Sequence, residues 1–260
     1  MKPQLIVFFM VLASAWAQLG LIAPKVGLIQ DDANVVRPVY GIAGNFVVGD
    51  PLASGVISAA FSGKFGLVKT HATLAVIDRS GQTIASMETP RGPALLSFDS
   101  SGAPAFAYLT EVGSLLAWDG QTFQTIAIDP ETLGTGQVLS VATNAEGQAI
   151  LLAQRDDGVW ALCFSPSDGT LVSQTFIANV AGPVLLLANG TLIYSDPDGV
   201  VLRRSDGVPK RIDVQLPELF SFQQMSDNWI EIRAEDMGNS LALRITEGRG
   251  QTFPLPGAAQ

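Results

Sequence analysis

The sequence predicts an all-β fold assembled from small four-stranded sheets, and two observations carry that prediction. Short apolar runs return at a near-constant interval: the third run of each unit begins near Leu74, Leu115, Trp160, Val200 and Leu241, spacings of 41, 45, 40 and 41 residues. Two turn signals also keep their place in every unit. One lies between the third and fourth runs, at Ser80-Gly81, Asp119-Gly120, Asp168-Gly169, Asp206-Gly207 and Gly248-Arg249-Gly250. The other lies between the first and second, at Ser62-Gly63, Ser101-Gly102, Glu146-Gly147, Asn189-Gly190 and Asp227-Asn228. Asp-Gly and Ser-Gly favour tight hairpins because glycine adopts positive φ without steric cost. A strand-only period of this length is the signature of sheets packed side by side around a ring, each covering a face its neighbour cannot bury alone.

Taken from the N-terminus, Met1–Ala17 has the three parts of a secretory signal: Lys2, the apolar core Leu5–Leu12, and Ala15-Trp16-Ala17 at the cleavage-defining positions. Cleavage there removes one lysine and no acid, taking the formal charge of −9 to −10. Residues 3–24 carry no charge, a span long enough to cross a bilayer, so an uncleaved anchor is the alternative. Gln4, Gln18 and Gly20 speak against it. Either way the β domain is expected outside the cytoplasm, periplasmic or extracellular, without stable membrane insertion unless the leader stays attached. Residues 18–33 read as a tether or an edge strand, 34–256 as the β domain and 257–260 as a tail.

Val35–Ile42 and Phe46–Val48 read as two strands joined by Ala43-Gly44-Asn45. The second full unit divides into Ala94–Phe98, Pro104–Leu109, Ser114–Trp118 and Phe123–Ile128; the third into Val138–Thr143, Gln148–Ala153, Gly158–Phe164 and Thr170–Ile177. Runs this short and this rich in Val, Ile, Leu and Phe suit strands buried on both faces. The pattern over residues 35–256 resembles the β-propeller superfamily: five four-stranded repeats plus an N-terminal partial blade, hence a five- or six-bladed ring. The extra strands either begin a sixth blade or pack outside five. No tryptophan-aspartate or kelch signature narrows the resemblance further, since Trp118-Asp119 occurs once and falls in a turn. A β-sandwich pair or a solenoid is the competing architecture.

Composition closes several routes to function. With one histidine and one cysteine, zinc spacings of the His-x-x-x-His or Cys-x-x-Cys kind cannot occur, and an internal disulfide is impossible. Cys163, inside Val159–Phe164, reads as a small buried hydrophobe. No Gly-x-Ser-x-Gly elbow, phosphate loop or dinucleotide fingerprint is present. A chain this acidic disfavours nucleic acid as a partner; its densest basic group, Arg203-Arg204 with Lys210-Arg211, belongs to one hairpin and reads as a charged outer edge that blocks sheet-to-sheet pairing.

Sorting the turns by rim gives the one feature that points toward function. In a propeller, second-to-third turns and blade connections emerge on the same rim. Those turns hold His71, Glu111, Asp156-Asp157, Asp196-Pro197-Asp198 and Glu235-Asp236, and the connections add Asp129, Glu131 and Glu218, against Arg91 and Arg155. Aspartate before glycine, as at Asp157 and Asp198, is expected to cap its own turn, but Glu111, Glu131 and Glu235 have no such preference. The predicted binding face is therefore acidic, suited to a basic protein segment or a divalent cation. Asp196 and Asp198 form the best cation candidate, with calcium as the alternative to no cofactor at all, although the ligand count of a calcium loop is missing. No other cofactor is expected. A non-catalytic scaffold or partner-binding module follows from the acidic face and the missing catalytic motifs. The resemblance to propellers also permits a calcium-dependent hydrolase or lactonase, with an ion in the central channel.

Overall fold

The computed structural model describes residues 23–98, 101–134, 136–178, 180, 182–204, 208–235, 240–246 and 249–256. The leader assigned to Met1–Ala17 lies outside the described residues, as does the tail 257–260. Among the described residues no helix is long and apolar enough to cross a membrane.

The chain forms six antiparallel sheets in sequence order. The first contains β1 (Lys25–Gln30), β2 (Val35–Ile42), β3 (Asn45–Val48) and β4 (Ala53–Ser54). The second contains β5 (Val56–Phe61), β6 (Phe65–Thr70), β7 (Thr73–Asp78) and β8 (Thr83–Glu88). The third has β9 (Ala94–Phe98), β10 (Ala105–Leu109), β11 (Ser114–Trp118) and β12 (Phe123–Ile126). A single helical turn, α1 (Pro130–Leu133), leads to the fourth, made of β13 (Val138–Thr143), β14 (Ala149–Arg155), β15 (Gly158–Phe164) and β16 (Leu171–Ala178). The fifth has β17 (Val184–Leu186), β18 (Leu192–Asp196), β19 (Gly199–Arg203) and β20 (Lys210–Asp213). The sixth has β21 (Phe220–Ser226), β22 (Trp229–Ala234), β23 (Leu241–Thr246) and β24 (Arg249–Pro254).

Closure into a ring is read from the core. Each of the six gaps between neighbouring sheets holds its own apolar cluster. The gap between the last sheet and the first is filled by Met225, Ala242 and Leu255 against Ile29, Val39 and Phe46. Because successive strand residues point to opposite faces, Leu28 enters the gap to the second sheet while Ile29 enters the gap to the sixth. Leu151 and Leu152 divide in the same way between the third and fifth sheets. This two-sided burial is why the strands read as unbroken apolar runs. The protein is a six-bladed β-propeller.

The first blade departs from the others. Its third layer is shared end to end, with β3 pairing the C-terminal half of β2 and β4 pairing Val35 and Val36. Its innermost strand is β1, which lies inside the segment 18–33 expected as a tether or edge strand; the blade architecture thus begins by Lys25, before the expected boundary at 34. The repeat missed β1 because no glycine turn follows it: Asp31-Asp32-Ala33-Asn34 joins it to β2. The blade is also recessed. Strands β5 and β21 touch each other as well as β1. The central channel, about 110 Å3, is lined from β5, β9, β13, β17 and β21 with nothing from β1. The sixth-blade reading of the N-terminal strands holds and the outside-packing one does not: this blade fills the ring between the last and the second, with β1 set back from the five strands that meet around the axis.

Serines and one glutamine stitch neighbouring inner strands. Ser58 Oγ accepts from Ala94 N at 3.0 Å, Ser140 Oγ from Leu186 N at 3.2 Å, Ser226 Oγ donates to Val26 O at 2.9 Å, and Gln30 Nε2 donates to Val56 O. Backbone groups left unpaired at the innermost edge find partners this way.

Candidate functional site

In four-stranded antiparallel blades, the second-to-third turns and the blade connections leave at the same end of every sheet. The predicted residues fall where the turns were expected: His71 between β6 and β7, Glu111 between β10 and β11, Asp156 and Asp157 between β14 and β15, Asp198 between β18 and β19, and Glu235 after β22. Asp196 is the last residue of β18 and Glu131 lies in α1. Asp236 lies outside the described residues.

Local chemistry separates these groups into engaged and free. Arg211 on β20 reaches across the edge of the fifth blade, its Nε donating to Asp196 Oδ2 at 2.9 Å and its Nη1 lying 3.1 Å from Asp198 Oδ2. The pair singled out for a cation is therefore already held by a guanidinium. Burial acts to raise the Asp196 carboxyl, but the Arg211 bond and the Asp198 N–H outweigh it and leave the carboxyl below its ordinary range. Turn capping also differs from expectation. Asp196, not Asp198, accepts the Asp198 N–H at 3.0 Å, and Asp157 accepts the indole N–H of Trp160 at 2.8 Å. Asp129 is an N-cap, accepting from Glu131 N at 3.0 Å. Among the described residues, Glu111, Glu131, Asp156 and Glu235 are exposed and their carboxylates have no hydrogen-bond or ion-pair partner.

His71 is exposed, and what lies beside it is unexpected. The fully buried Lys69 donates from Nζ to the carbonyls of Thr70 at 2.6 Å, Pro90 at 3.0 Å and His71 at 3.4 Å. Three carbonyls satisfy the three ammonium protons, so Lys69 ties the turn to the following connection, and burial lowers its pKa. Arg155 donates to Thr132 O at 2.8 Å and stacks 5.3 Å from the Trp160 ring centroid, so this basic residue of the rim braces α1.

Sequence reasoning missed the polar seam where the ring closes. A cavity of about 600 Å3 opens between the first, second and last blades, lined by Gln30, Asp32, Asn34, Ile57, Ser221, Arg233, Ala234 and Glu235. Arg233 Nη2 donates to Asp31 O at 3.1 Å and lies 3.6 Å from Asp32 Oδ1, while Arg37 Nε donates to the buried Asp31 carboxylate at 2.7 Å. Two residues along β22, on the same sheet face as Arg233, Glu231 is 3% exposed and its Oε2 has no partner among the described residues. Burial pushes its pKa up to about 8, opposed by Arg233 and reinforced by Asp32. A signal for this was present. Trp229-Ile230-Glu231-Ile232-Arg233 alternates apolar and charged residues, whereas Ala105–Leu109, the second strand of the third blade, has no charge.

The channel offers different chemistry. Its side-chain oxygen donors among the lining residues are Ser140, Gln223 and Gln224, with no carboxylate. No group of three or more His, Cys, Asp or Glu residues able to hold a metal occurs among the described residues. Cys163 is buried as expected, its thiol donating to Gln148 Oε1 at 3.1 Å, and burial followed by the Glu146 charge raises its pKa.

No protein-family model matches the chain, and no curated protein matches it. Among solved structures it is similar to Kluyveromyces marxianus Hsv2, at 14% identity over 87% of this chain and 81% of that one, with a TM-score of 0.44. It is also similar to Kuenenia stuttgartiensis hydrazine synthase, at 12% identity over 86% and 77% with a TM-score of 0.49. A third likeness is to virginiamycin B lyase from Staphylococcus aureus, at 9% identity over 91% and 86% with a TM-score of 0.48. At these identities none of them bears on function.

Proposed function

We propose that this propeller is an exported binding module whose recognition surface is the rim of second-to-third turns and blade connections, and whose partner is a basic protein segment. The observation that supports it is the set of exposed carboxylates on that rim, Glu111, Glu131, Asp156 and Glu235, which lack partners among the described residues. Paired strands anchor the turns that carry them, so the charges are held in place before any partner arrives. Carboxylates left free on a rigid frame attract a cationic partner and speed its encounter. The 600 Å3 cavity beside Glu235 adds a concave element to the same rim. The calcium-dependent hydrolase reading has no comparable support: the 110 Å3 cavity among the inner strands has no carboxylate among its described lining residues, and Arg211 holds Asp196 and Asp198.

The test is binding of lysine- and arginine-rich peptides, and capture of partners from exported fractions, at low and moderate salt. The variant combining Glu111→Gln, Glu131→Gln, Asp156→Asn and Glu235→Gln should lose binding while its melting curve is kept. Equal binding by this variant and the wild type, or no partner at either salt, would remove the proposal. Calorimetric titration with calcium, with an ester and lactone panel, addresses the enzyme reading directly.

A further inference from the structure

The opposite end of the seam carries the reverse charge. A cavity of about 410 Å3 lies among the start of β1, the first-to-second and third-to-fourth turns of the second blade, and the β21–β22 turn with β23 of the last. Three cations line it: Lys25, Arg79 and Arg244. None makes an ion pair among the described residues. Lys25 Nζ donates to the Arg79 carbonyl at 2.7 Å, which leaves two ammonium protons without a partner. Arg244 has its Cζ over the Trp229 ring, 5.7 Å from the centroid, and its guanidinium has no hydrogen-bond or ion-pair partner among the described residues.

One carboxylate, Asp227, also lines the cleft, and both nearby acids are hydrogen-bonded. Asp227 accepts the Gly63 N–H at 3.0 Å across the seam. Asp78 is held by its own turn, accepting from Ser80 N, Ser80 Oγ and Gln82 N at 2.8, 2.6 and 2.9 Å. Burial first, and then repulsion from Arg79, lowers the Lys25 pKa, with Asp78 only partly opposing them. In a chain of formal charge −9, three unpaired cations around one concavity bear an electrostatic cost that a bound anion would relieve. The remaining lining adds the side chains of Asn228 and Thr246, which have no hydrogen bond among the described residues, whereas Ser62 and Ser226 already donate to Phe65 O and Val26 O. The volume falls within the range of small-molecule pockets.

We propose that this cleft binds a small acidic sugar, its anionic group held by Arg79, Arg244 and Lys25 and its hydroxyls by Asn228 and Thr246. Guanidinium groups suit carboxylate and phosphate oxygens alike, because their paired N–H donors match two acceptors at once. The site stands apart from the acidic rim and does not depend on the function proposed for it.

Three probes test the proposal on the exported chain by calorimetry and by amide and indole NMR shifts: glucuronate, glucose 6-phosphate and uncharged glucose. At least one anionic probe should bind saturably at low ionic strength, shifting the Trp229 indole and Asn228 signals, and should weaken as salt is added. The preferred anionic probe tells a carboxylate from a phosphate ligand. Glucose should not bind. Combined Arg79→Ala and Arg244→Ala should weaken the anionic probe by about tenfold or more, the loss of one strong charge-assisted contact. Both arginines are exposed, so a melting curve like the wild type is expected. Lys210→Ala on the distant edge should leave binding unchanged. Absence of saturable binding by both anionic probes, equal binding of glucose, or unchanged binding in the double variant would each overturn the proposal.

Discussion

Glu231 is the residue whose environment most departs from its chemistry. Water stabilises an ionised carboxylate far better than an apolar gap does, so burial between the last and first blades keeps this side chain protonated until about pH 8. Its folded-state pKa lies above the unfolded one, so the native state holds a proton that the unfolded chain releases. The contribution to stability is complete below about pH 4.5 and is lost as pH rises through 8, by about 1.4 kcal/mol per pH unit at most. Glu231→Gln keeps the shape and removes the ionisation. We expect the variant to melt at nearly the same temperature from pH 5 to 8, where the wild type falls. Arg211 makes the opposite case. Its bonds hold Asp196 below the ordinary carboxylate range, and Arg211→Ala should let that carboxyl titrate higher in an NMR pH series. The stability change should be small, because the pair is open to solvent and screened by salt.

At the scale of the element, each inner and middle strand serves two gaps at once. Leu151 and Leu152 are both fully buried, one toward the third blade and the other toward the fifth. Leu151→Ala and Leu152→Ala should each cost about 2–5 kcal/mol by denaturant unfolding. Their effects should nearly add, since the two cavities open in separate clusters. The closing seam is governed by close approach. A Cβ on Gly27 would lie 2.5 Å from Met225 O, so Gly27→Ala forces β1 away from β21. A loss of about 1–3 kcal/mol is expected, with limited proteolysis cutting the first blade before the others. Equal protection of all blades in that variant would show that the seam does not depend on this contact.

For the molecule as a whole, closure comes from side chains rather than from an exchanged strand. All four strands of the last blade come from the C-terminal end of the chain, and the first blade meets it through an apolar cluster, the Arg233–Asp32 pair and the Ser226–Val26 bond. The first blade also covers the second through Leu28 and Val36. Deleting residues 25–54 should therefore expose two apolar faces together, and size-exclusion chromatography should show association instead of a smaller monomer. The two ends of the seam carry different side chains: Asp32 and Glu235 line one cavity beside Arg233, whereas Lys25, Arg79 and Arg244 line the other. That contrast depends on how turns from blades far apart in the chain are brought to the same end of the ring.

In the five repeated units, the strands, their order and their turns are legible in the residues themselves. Glycine after Asp or Ser sets hairpins locally, and the starts of β7, β11, β15, β19 and β23 fall within two residues of the expected positions. Two-sided burial was legible too, as runs such as Val159–Phe164. Packing between distant segments is what shows that β1 belongs to a blade, that this blade is set back from the axis, and that Arg211 holds Asp196 and Asp198. The same holds for the burial of Glu231 at the seam and the gathering of Lys25, Arg79 and Arg244 around one cleft. Turn geometry is written in adjacent residues. The partner of a charged side chain is set by which distant strands pack against it, and ring closure brings together residues some two hundred positions apart.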